Sequence, residues 1–74
     1  MDSFFPNIDS ELEKRNMNYR DLARVIGISD LAMYRRMAGI TKWTLHEAIK
    51  ITWFFNGVDI YRLFEKKGGD DKFV

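Results

Sequence analysis

Arg35 and Arg36 stand side by side in the stretch GISDLAMYRRMAG, residues 27–39. A guanidinium is a fixed fork of donors that can grip a phosphate or pair bidentately with guanine O6 and N7. Neighbours on a helix point about 100° apart, so these two cannot do the same thing. Arg35 shares a face with Leu31 and Ala38. Arg36 lies nearer Met33 and can run along the core edge to a phosphate or to an acid such as Glu47. Two solvated arginines are the plain alternative. Other reactive groups are few. His46 has no acid and nucleophile at matching spacing, so it reads as a surface residue and no catalytic set emerges. With no Cys and one His, the ligands are too few for a tight zinc site. The four Met read as core filler rather than ligands. No enzyme, cofactor or small-molecule substrate is expected.

Charge is uneven along the chain although the net charge is only +1. Residues 1–13 carry Asp2, Asp9, Glu11 and Glu13 and no base. The basic side chains concentrate in residues 14–50, where Arg20, Arg24, Arg35, Arg36 and Lys42 outweigh Asp21, Asp30 and Glu47. A basic middle of this kind either faces nucleic acid or is an ordinary mixed surface. The 74 residues make one small domain with a thin core. The longest uncharged run, Ile51 to Val58, is far too short to span a bilayer. No basic region precedes an apolar block at the N-terminus, so the expected setting is cytoplasmic, without a membrane partner.

These side chains need short helices to hold them. Asn7 can cap a first helix, with Ile8 and Leu12 on one face. Asn18 starts a second, with Asp21 three residues on and Leu22, Ala23 and Ile26 as its apolar stripe. Gly27 ends it, Ile28 is a buried hinge, and Ser29 caps a third helix. Met33 and Met37 mark that helix's buried side, and Gly39 ends it. Thr44 and Glu47 form a capping box for a fourth helix, apolar nearly all round and so expected to be buried on more than one side. Asp59 caps a fifth, with Ile60, Leu63 and Phe64 inward. No segment alternates like a strand. The expectation is an all-α domain of five helices over residues 8–66, between an N-terminal arm (1–7) and a C-terminal tail (67–74).

The link Gly27-Ile28-Ser29 is short enough to force a large angle between the second and third helices, as in a helix-turn-helix. Ala23, Gly27, Ile28 and Met33 fit that corner together. Residues 8–66 resemble the Cro and phage lambda repressor type of DNA-binding domain. The sequence is most similar to small Cro-like regulators of phages and prophages of Gram-positive bacteria. The string AMYRRMAG, followed by Trp43-Thr44 and Glu47, carries that likeness. The resemblance implies a recognition helix over about residues 30–38 in the major groove. Ser29, Asp30, Leu31 and Ala32, then Tyr34 and Arg35, would approach base edges. Tyr19 would touch a phosphate, with Asn18 a further candidate or a plain cap. Thr41 and Lys42 would approach the backbone, and Arg36 would reach a phosphate or Glu47. The sequence departs from its relatives at Tyr19, where Gln is frequent, and at Asp30, where Gln, Lys or Arg is common.

Two Trp, three Tyr and six Phe exceed what one thin core holds. Trp53, Phe54, Phe55 and Tyr61 cannot all face inward from two short helices, and an exposed aromatic patch marks an interface. A two-fold homodimer would bury it and set two recognition helices about 34 Å apart, one turn of double-stranded DNA. The expected function is a Cro-like transcriptional repressor on a pseudo-palindromic operator. The alternative is a protein-interaction module or antitoxin-like adaptor that keeps the fold without binding DNA.

Overall fold

Helix starts set the architecture. In the computed structural model, which describes residues 3–67, four side chains catch a backbone N–H that a helix would otherwise leave unpaired. The Asn18 side chain accepts from Asp21 N–H at 2.9 Å, and the Asp21 carboxylate accepts from Asn18 N–H at 3.0 Å. Ser29 Oγ accepts from Ala32 N–H, Thr44 Oγ1 from Glu47 N–H and Asp59 Oδ2 from Arg62 N–H. These open α2 (Tyr19–Ile26), α3 (Asp30–Met37), α4 (Leu45–Phe54) and α5 (Ile60–Leu63).

The first helix, α1 (Pro6–Lys14), starts differently from the expectation. Its N-cap is Phe5, without a side-chain cap, and Pro6 occupies the first turn, where a missing N–H costs nothing. Asn7 is not the cap: its amide donates across the fold to the Arg62 carbonyl at 2.6 Å. Residues 3–7 are also part of the body rather than an arm. Phe5 is buried, Ser3 Oγ accepts from Phe5 N–H, and Phe4 N–H donates to the Met37 carbonyl at 2.8 Å. The Phe4 carbonyl in turn accepts from Lys67 N–H at 2.8 Å.

The described residues form five helices and no strand. Helix α2 packs on α3 and α4, α4 on α5, and α1 on α5. The core takes Ile8 and Leu12 from α1, Leu22, Ala23 and Ile26 from α2, and Met33 and Met37 from α3. Ala48 and Ile51 of α4 complete it with Phe55, Leu63 and Phe64. Phe5, Trp43 and Phe64 meet edge to face, with ring centroids 5.5 to 6.2 Å apart.

Helix α4 is buried on one side, not several. Glu47, Ala48 and Ile51 face inward, while Leu45, Ile49 and Trp53 form an apolar stripe open to solvent.

Candidate nucleic-acid interface

Gly27 turns the chain between α2 and α3. Its φ of 81° and ψ of 34° lie in the left-handed region, where a side chain is strained and glycine is not. Gly27 N–H and Ile28 N–H both donate to the Ala23 carbonyl, at 2.8 and 3.0 Å, which closes α2. Two residues later the Ser29 cap opens α3. The short link therefore follows from one glycine and one hydroxyl.

Helix α3 has two unlike faces. Met33 and Met37 are in the core. Leu31 is 56% and Tyr34 47% exposed, with Arg35 and Ala38 also exposed. The Arg35 guanidinium makes no hydrogen bond or ion pair among the described residues. The chain folds back past its carbonyl, which accepts from Ile40 N–H at 2.9 Å and Thr41 N–H at 3.3 Å. That return brings Thr41 and Lys42, both exposed, to the C-terminal end of α3. At the other end lie Ser29 and Asp30, exposed, and Ala32, half-buried. Ser29 Oγ is used as an acceptor by the cap and keeps its own hydrogen to donate. Asn18, exposed at the start of α2, is a cap as one of its two readings held.

One sequence-based alternative is decided, at Arg36, and two assignments change, at Tyr19 and Phe55. Arg36 is held inside the protein: its Nε donates to Glu47 Oε1 at 2.8 Å and Nη1 to the Ala32 carbonyl at 3.3 Å. Of its two expected partners the acid has it, because Glu47 is nearly buried in the α4 capping box and requires a cation. Tyr19 has its phenol turned to Asp9, donating to Oδ1 at 2.6 Å. Burial first, and then this carboxylate, push its pKa up to about 12. The hydroxyl is thus committed beside a negative charge and is not offered to a phosphate. Phe55 is 1% exposed, in the core beneath the Arg15 guanidinium 4.6 Å from its ring centroid, and is not part of an exposed patch.

Spacing along one helix misses two features. Arg20 of α2 reaches Asp30 at the start of α3, Nε to Oδ2 at 3.2 Å, and both are exposed. The acid that departs from the Cro-like pattern therefore carries its own counter-charge, ten residues away in sequence. The second is the α4 stripe, in which Leu45 and Ile49 join Trp53, which is 76% exposed. Phe54 is partly and Tyr61 largely exposed.

Among the described residues no group of three or more His, Cys, Asp or Glu side chains could hold a metal ion. None of their helices is long and apolar enough to cross a membrane. Comparison with family models, curated proteins and solved structures finds no match to this chain.

Proposed function

We propose that this chain is a sequence-specific DNA-binding protein, a Cro-like transcriptional repressor of helix-turn-helix type that acts as a homodimer. The observation that carries the reading is α3 itself. It follows α2 through a three-residue turn, is anchored by two Met, and presents Leu31, Tyr34 and an unpaired Arg35 to solvent. In the major groove Arg35 would take guanine, worth roughly 1–3 kcal/mol of discrimination. Tyr34 and Leu31 would meet thymine methyls or the sugar backbone, and Lys42 a phosphate. Asp30 would accept from cytosine N4 or steer Arg20 to a phosphate. A dimer seated on Trp53 and its neighbours would bind two half-sites and block polymerase by occupancy.

The test is fluorescence anisotropy on a labelled random-sequence duplex over a salt series. Each phosphate neutralised contributes a slope of about −0.9 in log K against log salt. The expected result is a slope worth several phosphates, made shallower by Lys42→Ala and weaker in affinity with Arg35→Ala. Absence of binding at low salt would overturn the reading and favour the protein-interaction module, for which the α4 stripe would be the contact surface.

A further inference from the structure

A cleft borders the C-terminal end of α3 and shares Thr41 and Lys42 with its exposed face. The N-terminal segment, the α3–α4 loop and the end of α5 enclose this cleft of about 350 Å³. Its walls are the rings of Phe4, Phe5, Trp43 and Phe64. Lys42 and Lys66 also line it, and among the described residues no acidic side chain does. The Lys66 ammonium sits 5.8 Å from the Phe4 ring centroid and has no carboxylate partner among the described residues; Lys42 has no partner there either. The indole Nε1–H of Trp43 is buried and has no acceptor among the described residues.

We propose that the cleft binds a small apolar carboxylate, a medium-chain fatty acid or an aryl carboxylic acid. The size is at the lower end of the range for small-ligand pockets. Four aromatic rings suit an apolar body, and two unpaired ammonium groups with no competing acid suit a single negative head. A cationic or neutral ligand of the same shape would meet the same rings but gain nothing from the lysines. The Phe4 wall lies over Gly39: a Cβ added there would meet its ring at 2.8 Å. Only glycine lets Phe4 lie so close to the α3–α4 loop. Because Phe4 N–H is bonded to the Met37 carbonyl, an occupant of the cleft touches the segment that holds the C-terminal end of α3. The inference stands on the cleft and does not require that α3 bind DNA.

The experiment is a titration of the full chain, followed by 15N–1H correlation spectra, with decanoate, decanol and decyltrimethylammonium. Decanoate is expected to give saturable shifts at the Trp43 indole N–H and the Gly39 amide. Its affinity should exceed that of the other two and fall about five- to tenfold in K42Q/K66Q, while decanol is unaffected. Lys42 is exposed and Lys66 half-buried, and the variant's spectrum reports whether the fold is kept. Equal binding of all three probes, or no loss in the variant, would overturn the proposal in favour of unselective apolar adsorption. Shifts centred on the Trp53 indole would move the binding to the α4 stripe and overturn it equally. So would saturable decanoate binding seen only in Phe73→Ala, which would give the cleft to the chain's own C-terminal residues.

Discussion

Single side chains in this protein are decided by who else needs them. Arg36 and Arg35 have the same chemistry and adjacent positions, yet Glu47 claims one and leaves the other in solvent. One carboxylate oxygen, Glu47 Oε1, accepts both Arg36 Nε and Thr44 N–H, so the start of α4 is bonded directly to α3. Tyr19 is a similar case. Its folded pKa of about 12 lies above the ordinary value of 10.0. The unfolded phenol therefore loses its proton first as pH rises. The stability it contributes is complete below pH 10 and is lost between about pH 10 and 12. Urea denaturation of the wild type and Tyr19→Phe across that window measures this. The gap between them, about 1 kcal/mol at neutral pH from the Asp9 hydrogen bond, should close or reverse as the pH passes 12. At low pH the Glu11 carboxyl acts in the opposite sense. Its bond to Arg15 holds its pKa below the usual value, so its contribution is lost on acidification.

At the scale of elements, two glycines with almost the same backbone carry different loads. Gly27 and Gly39 have φ of 81° and 80°. An added Cβ at Gly27 meets nothing within 4 Å, whereas at Gly39 it runs into the Phe4 ring. Gly27→Ala should therefore cost only the left-handed strain, about 1–2 kcal/mol. Gly39→Ala should cost that and, in addition, the displacement of Phe4, about 1–3 kcal/mol more. In a Phe4→Ala background the second glycine should fall to the level of the first, which a double-mutant cycle by denaturation checks. The helix starts of α2 to α5 are legible in the sequence because a cap is local: an oxygen meets an N–H two or three residues on. The start of α1 is not, since Asn7 is drawn away by Arg62 and Glu65 from the far end of the chain. The faces of α4 resist reading for another reason. With Leu45, Ile49 and Trp53 on one side and Ala48 and Ile51 on the other, periodicity marks two apolar faces and cannot say which is buried. Phe55 lies just past the helix, at its C-cap, where the 100° rule no longer sets its direction. On α3 the contrast of Met33 and Met37 with Leu31 and Arg35 makes the exposed face legible. The Arg20–Asp30 pair is not, because it joins two helices.

For the whole molecule, the α4 stripe is the surface on which the proposed dimer would form. An exposed run of Leu45, Ile49 and Trp53 on one helix is costly in water unless another surface covers it. Sedimentation of the wild type should show a concentration-dependent monomer–dimer equilibrium, and Trp53→Asp should be monomeric. Its unfolding midpoint should stay near that of the wild-type monomer, because Trp53 contributes nothing to the core. A wild type that remains monomeric at high concentration would remove the homodimer from the proposed function.

Phe4 joins three parts of the chain through two backbone bonds, its N–H to the carbonyl of Met37 and its carbonyl to the N–H of Lys67. Neither bond lies within a helix, so neither is protected by a neighbouring turn. Both depend on the same residue keeping its place above Gly39. If Phe4 lifts, both bonds break together, and the amides of Phe4 and Lys67 should lose their protection in one step. The two amides stand near opposite ends of the described chain, yet their hydrogen exchange should keep one clock.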